Sequence, residues 1–317
     1  MCFVLRQRPN LAPGGVLSQR DSFIFTPKGH WDSIRPGMLR KVLNVKIHAT
    51  PASPVAAFTA TITEDEVKTV QGLVGRNRQL LVIGDGPIMS HHKIVMIRRP
   101  SSQVHLLGSS TARGTFQPGL LHLLRVLLLD RFVSCVRGGR PFGNFKRAII
   151  FFRCTRVMGE VNSWLMSQTG YKSYIDAPFV MTHSKLSKSD EAVLQRRMKS
   201  GEILLFLTTS RLLLGVNIPG VNLVVMVRPP SKEHALVQAC GRAGRLKENG
   251  QRETSMIVCL FNSQDLSEKS ISPGVKELCT NNDTCLKQML RQVFVGDYAA
   301  TDTASAWCCS NCDQKTV

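Results

Sequence analysis

The chain has 317 residues, 43% of them hydrophobic, enough apolar material for two domains with cores of their own. Lys and Arg number 41 against 22 Asp and Glu, a formal charge of +19 that favours a polyanionic partner through counterion release. No uninterrupted apolar stretch reaches bilayer length, and Met1–Arg6 lacks the charged-then-apolar layout of a signal peptide. A membrane-spanning or exported chain is therefore not expected, and ten unevenly placed cysteines fit a reducing, intracellular compartment.

In chain order, residues 1 to about 30 are rich in Arg, Gln, Pro and Gly without a clear period, apart from a short strand expected at Phe23–Phe25. Val55–Phe58 reads as an apolar strand running into Thr59-Ala60-Thr61. Thr63 and Glu66 then form a T-x-x-E capping box that opens a helix. A strand is expected at His92–Ile97 and a buried amphipathic helix at Leu120–Val136. Gly138-Gly139-Arg140-Pro141-Phe142-Gly143 reads as a linker. Beyond it come three runs of strand length, Ala148–Phe152, Ile203–Leu207 and Leu223–Val227, with helical patterns between them. Such runs signal a parallel sheet covered on both faces. Polar Thr209, Gly215 and Asn217 follow the second run, where open α/β sheets bind ligands.

The string Gln238-Ala239-Cys240-Gly241-Arg242-Ala243-Gly244-Arg245 carries the most chemistry. A guanidinium is always charged and meets phosphate oxygens with two parallel donors, so Arg242 and Arg245 suit a transferring phosphoryl group. Their spacing puts both on one face of a helical turn, with Gly241 and Gly244 baring the backbone beside them.

Together these segments resemble motifs IV, V and VI of superfamily 2 helicases, and in detail the RecQ family of 3′–5′ DNA helicases. Thr59-Ala60-Thr61 is similar to motif III, and Trp31-Asp32-Ser33-Ile34-Arg35-Pro36 to the segment after the Walker B acids. Ala148–Thr155 resembles motif IV, and Thr182-His183-Ser184-Lys185-Leu186 sits where that family has Y-H-x-x-L. Motif V departs from the pattern, because Leu213 stands where a first glycine is usual. The resemblance covers roughly residue 30 to the end. It implies that Arg245 is an arginine finger, with Arg242 and Gln238 beside the nucleotide and Gly241, Gly244, Gly215 and Asn217 lining its site. It also implies that Thr59, Ala60 and Thr61 couple nucleotide and DNA sites, and that Arg153, Thr155, His183 and Thr209 lie along the DNA.

ATP and Mg²⁺ are the cofactors the family implies, yet the P-loop G-x-x-x-x-G-K-[ST] does not occur in these residues. No Gly-Lys dipeptide is present anywhere. Glu64-Asp65-Glu66 belongs to a capping turn, and Asp190-Glu191 to a helix start favoured by the dipole, so neither reads as a Walker B box. By itself the chain is expected to turn over negligible ATP, since a finger only accelerates a reaction set up by metal and P-loop lysine. The alternatives are an ATPase-dead DNA-binding scaffold and a truncated gene product.

Cys285-Leu286-Lys287-Gln288-Met289-Leu290 resembles the cysteine helix of the RecQ zinc-binding subdomain, and Cys309-x-x-Cys312 its terminal knuckle. Four thiolates make a closed structural Zn²⁺ site, with Cys285, Cys308, Cys309 and Cys312 the preferred set. Two alternatives stay open: Cys279 in place of Cys308, or a ligand past the chain end. The expected fold is α/β with RecA-like parallel sheets. Residues 1–138 form a partial first domain, 139–266 a complete second one and 267–317 a zinc-binding segment. The expected setting is nuclear DNA repair and recombination, with single-stranded or forked DNA and other repair proteins as partners and no membrane.

Overall fold

The computed structural model describes residues 2–7, 23–25, 55–58, 68, 78–83, 91–99, 118–139, 142, 144–173, 176–182, 188–209, 218–244, 253–294 and 308–314. The chain divides into two compact units: residues 1–89 with 288–301, and residues 90–287 with 302–317.

The first unit holds a four-stranded sheet in the order β2-β3-β1-β4, from β1 (Cys2–Gln7), β2 (Phe23–Phe25), β3 (Val55–Phe58) and β4 (Arg78–Ile83). The strands expected at 23–25 and 55–58 are present. The parallel arrangement expected of a partial RecA-like sheet is not, since β1 runs antiparallel to both neighbours and only β2 with β3 is parallel. The physical reason is the amino-terminal run, read from sequence as having no period. It is a six-residue strand inserted between β3 and β4 in the opposite direction.

The second unit holds a six-stranded sheet in the order β5-β10-β9-β6-β8-β7, with every pair parallel. Its strands are β5 (His92–Arg98), β6 (Arg147–Phe152), β7 (Phe179–Thr182), β8 (Leu205–Thr208), β9 (Val221–Val227) and β10 (Ser255–Phe261). The apolar runs make buried strands because both faces are covered. Ala148, Ile150 and Phe152 of β6 face one core with Leu205, Leu207, Leu223, Val225, Val227, Val258 and Leu260. That core is closed by α1 (Pro118–Leu124), a π-helical turn at Arg125–Leu129, α2 (Asp130–Gly138) and α3 (Thr155–Thr169). The alternate residues Ile149, Phe206, Val224 and Ile257 are buried on the opposite face. Truncating any of these residues, for example Ile150→Ala, costs about 2–5 kcal/mol through lost transfer and the cavity left behind.

The boundary expected at residue 138 falls inside this unit. There Gly139, with φ +61°, donates to the Cys135 carbonyl at 3.0 Å and ends α2. Phe142, only 4% exposed, stacks edge-on against Phe132 at 5.3 Å and anchors the return to β6. Strand β5 moves with it, since it pairs in full register with β10, a strand the sequence reading missed. Residues 267–287 and 302–317 group with this unit too, so the tail does not form a unit of its own. The remaining helices are α4 (Lys188–Ser200), α5 (Glu233–Cys240), α6 (Ser263–Ser267), α7 (Pro273–Thr280), α8 (Leu286–Val293) and α9 (Ser310–Gln314).

Candidate functional site

Helix α5 buries Leu236, Val237, Ala239 and Cys240, and runs back from the carboxyl end of β9 towards its start. One further helical turn follows, with Arg242 N–H donating to Ala239 and Ala243 N–H to Cys240, both at 3.0 Å. The chain leaves it at Gly244, whose φ of +61° suits glycine and whose N–H bonds the Val221 carbonyl at 2.9 Å. A Cβ on Gly244 would lie 2.5 Å from the His91 ring and 2.8 Å from the Glu253 carbonyl. His92 Nε2 lies 3.2 Å from the Ala243 carbonyl, and the two imidazoles are 4.1 Å apart. Gly241, in contrast, has ordinary helical φ and open space for a Cβ at normal contact distance. Gln238 Oε1 is enclosed and has no hydrogen-bond partner among the described residues, and Arg242 is half-buried beside it in sequence.

The opposite edge of the sheet, where the strands end, carries a different set. Arg153 follows β6 and donates to Glu268 at 2.6 Å and to the Ser270 hydroxyl at 3.4 Å. Thr155 is exposed at the first turn of α3. Thr209 follows β8, and its carbonyl accepts from the buried Thr208 hydroxyl, which also accepts from Thr182 at 2.9 Å. Arg228 follows β9 with φ +83°, the one non-glycine described with positive φ. It reaches Asp265 and Glu268, each at 3.3 Å. Asp265 is itself fixed: Arg99 grips both its oxygens at 2.8 and 3.0 Å, the pair is 3% and 2% exposed, and Asp265 closes a capping box with Asn262 on α6. Seven-residue β9 separates the two edges by roughly 20 Å at the usual rise per residue. The arginine turn and the Arg153–Thr209 edge are therefore distinct sites on one domain.

A third cluster lies along the outer edge of the sheet. The ligand atoms of Cys285, Cys308, Cys309 and Cys312 all fall within 4.8 Å of one another. Sulfur separations are 3.5 Å for Cys285–Cys308, 3.5 Å for Cys309–Cys312 and 4.0 Å for Cys285–Cys309. Burial pushes the Cys308 thiol up to about 11, and its hydrogen bond with Cys285 followed by burial pushes Cys309 up to about 12. The knuckle is docked on edge strand β5: Ile94 N–H donates to the Cys308 carbonyl at 3.3 Å, Met96 N–H to the Ser310 hydroxyl at 3.4 Å, and Lys93 pairs with Asp313 at 2.7 Å. Asn311 ties it to the Asn281 and Thr284 carbonyls at 2.8 and 2.9 Å. Cys279 is not in this cluster. It is buried with Phe261, Ile271 and Val275 and hydrogen-bonds Cys259.

Residues 140–247, from just before β6 through the arginine turn, match the family described as "Helicase conserved C-terminal domain". That match spans about a third of the chain. The ATP-dependent RNA helicase rok1 of Aspergillus fumigatus is 28% identical over 53% of this chain and 21% of its own length. The ATP-dependent helicase Lhr-Core of Methanothermobacter thermautotrophicus is 28% identical over 39% of this chain and 14% of its own. The chain thus spans about a fifth or less of these curated relatives. Among solved structures, helicase Lhr of Mycobacterium smegmatis bound to ssDNA and AMP-PNP superposes with TM-score 0.52 at 18% identity, covering 82% of this chain and 29% of that one. That likeness is one of fold.

Within the matched segment, Gln238, Gly241, Arg242 and Gly244 come together at the amino edge, and Arg153, Thr155 and Thr209 at the carboxyl edge. Arg245, Gly215, Asn217, His183, Thr59, Ala60 and Thr61 lie outside the described residues. Sequence reasoning missed Arg228, Glu268 and the Arg99–Asp265 pair. The Asn262-x-x-Asp265 spacing, an acidic variant of the capping-box pattern, was the signal available for the last of these. Arg147, expected only as part of a scattered basic excess, is buried and donates to the Met198 and Pro219 carbonyls at 3.1 and 2.9 Å. That burial lowers its pKa, and its hydrogen bonds tie the last turn of α4 and the residues before β9 to the start of β6.

Proposed function

We propose that this chain supplies the second RecA-like half of an ATP-dependent 3′–5′ DNA helicase of the RecQ type. The observation that carries the reading is the four-cysteine cluster docked beside a sheet that bears the motif VI arginine turn. A tetrahedral Zn²⁺ with Zn–S near 2.3 Å requires sulfurs roughly 3.8 Å apart, and the observed 3.5–4.0 Å separations fit it. Cys285, Cys308, Cys309 and Cys312 would hold the ion, which supplies a structural tie and no reaction chemistry.

In this reading Arg242 and Gln238 face the terminal phosphate of a nucleotide whose gripping P-loop belongs to a first domain. Arg242 neutralises charge on the transferring group, and Gln238 offers an enclosed carbonyl oxygen to an attacking water or its neighbours. Arg153, Thr155 and Thr209 contact the DNA backbone at the other edge. Motion of the domain on nucleotide turnover then passes to the strand through the sheet between them. A second reading is an ATPase-dead DNA-binding scaffold, which keeps the same fold and strand contacts without nucleotide turnover.

Fluorescence anisotropy with single-stranded DNA, forked DNA and single-stranded RNA, across a salt series, tests the partner. Salt-sensitive binding with DNA preferred supports the reading, and RNA preference overturns the RecQ assignment. Calorimetry with ATP and Mg²⁺ tests the scaffold reading, which micromolar affinity contradicts.

A further inference from the structure

Strands β6 and β9 are neighbours in the sheet, with Phe152 opposite Val227, so Arg153 and Arg228 leave adjacent strands at the same level. Both guanidiniums converge on one carboxylate. Arg153 donates to Glu268 Oε2 at 2.6 Å and Arg228 to Glu268 Oε1 at 3.3 Å, while the Ser270 hydroxyl lies 3.4 Å from both Arg153 and Oε2. Two cations and a hydroxyl around two oxygens is the environment that a phosphodiester also occupies.

The other acid nearby, Asp265, is not available for exchange. It is 2% exposed, held by Arg99 through both oxygens, and committed to the cap of α6. Glu268 is different. It stands just past α6 in extended backbone, its side chain is 35% exposed, and its only described tie to α6 is its own N–H on the Asp265 carbonyl. The cluster of Arg99, Arg153, Arg228, Asp265 and Glu268 has three positive and two negative charges, and releasing Glu268 leaves Arg153 without its carboxylate, Arg228 with Asp265 alone and a net excess of two positive charges. Arg228 is held there at φ +83°, a conformation costing roughly 1–3 kcal/mol for a non-glycine residue. Residues kept in such conformations cluster at ligand clamps.

We propose that Arg153 and Arg228 form a phosphate-binding clamp in which Glu268 stands in for a backbone phosphate of nucleic acid until the strand displaces it. The site rests on the reading above that nucleic acid runs along the carboxyl edge. It adds Arg228 as a contact and makes Glu268 a built-in competitor that sets affinity. With Thr209 on β8, beside β6, the clamp extends the track across three adjacent strand ends.

The test uses the full chain and a fluorescein-labelled single-stranded oligothymidylate, read by anisotropy over a salt series. Glu268→Gln keeps the side-chain shape and removes the competing charge. It is expected to tighten binding by about three- to tenfold and to steepen the log–log salt slope by about one. Arg228→Ala reverses both changes, and the double variant loses the gain. Glu202→Gln, which removes an exposed carboxylate paired with Arg197 before β8, leaves affinity unchanged and controls for net charge. Equal or weaker binding by Glu268→Gln, with the wild type binding normally, overturns the clamp alone. Absence of binding by every protein overturns the nucleic-acid reading and the clamp with it. Binding by Glu268→Gln where the wild type shows none is the strongest support. Glu268→Ala serves as a second variant, expected to tighten binding like Glu268→Gln, and thermal melting of each protein confirms that folding is intact.

Discussion

The Gly244 N–H donates to the Val221 carbonyl at 2.9 Å, tying the arginine turn to the first residue of β9. This one bond decides which edge of the sheet carries Arg242. It requires the chain to turn through positive φ, and the His91 ring and Glu253 carbonyl leave no room for a side chain. Gly244→Ala is therefore expected to destabilise the protein by about 2 kcal/mol or more in urea unfolding, combining conformational strain with steric overlap. Gly241→Ala, in ordinary helical backbone, should be neutral or slightly stabilising in the same assay.

The Arg99–Asp265 pair gives a second test. Arg99→Ala removes the two-oxygen partner of a carboxylate only 2% exposed and leaves it Arg228 as its one cation at 3.3 Å, which should cost up to about 3 kcal/mol. The comparison is Arg156→Ala, which breaks an exposed i, i+4 pair with Glu160 and should cost no more than about 0.5 kcal/mol. Similar losses from both would show that the buried pair is not a structural tie.

Metal content separates the two candidate cysteine sets. Protein purified without chelator is expected to carry about one Zn²⁺ per chain by mass spectrometry of the metal. Cys285→Ser and Cys312→Ser should abolish it and lower the melting temperature. Cys279→Ser should keep the metal, because that thiol sits among Phe261, Ile271 and Val275. Retention of full zinc by Cys285→Ser would remove the site.

The buried thiols also predict an alkaline limit. Burial pushes Cys240 from 9.0 up to about 12. Folding thus favours the neutral thiol: that contribution is complete below pH 9 and is lost as pH rises through about 12. Urea stability should decline across this window. At pH 8 a disulfide reagent should label exposed Cys154 quickly and Cys240 only after unfolding.

Much of the second unit was legible because its strands are buried on both faces, which leaves uninterrupted apolar runs such as Ala148–Phe152 and Leu223–Val227. The proximity of the four cysteines was legible because three of them fall within five positions of one another. The end of α2 was not. Gly138-Gly139 looks the same whether it caps a helix or lies in a loop, and the cap shows only in the Gly139 N–H bond to the Cys135 carbonyl. Strand β10 was passed over because Ser255–Phe261 follows a polar stretch with no motif to frame it. Arg228 and Glu268 are forty positions apart, and nothing local announces that parallel pairing will bring Arg153 and Arg228 to that one carboxylate. The adjacent cysteines 308 and 309 looked strained as joint ligands, yet the bend where the knuckle meets β5 lets both sulfurs converge.

That docking has a consequence for solubility. Strand β5 is the last in its sheet, and the Cys308–Ser310 stretch occupies part of its outward hydrogen-bonding row. If the cysteines lose whatever holds them together, the knuckle peels away and β5 becomes a bare template for another chain's backbone. Chelation should then show itself first as oligomers growing with protein concentration, before any loss of helical signal.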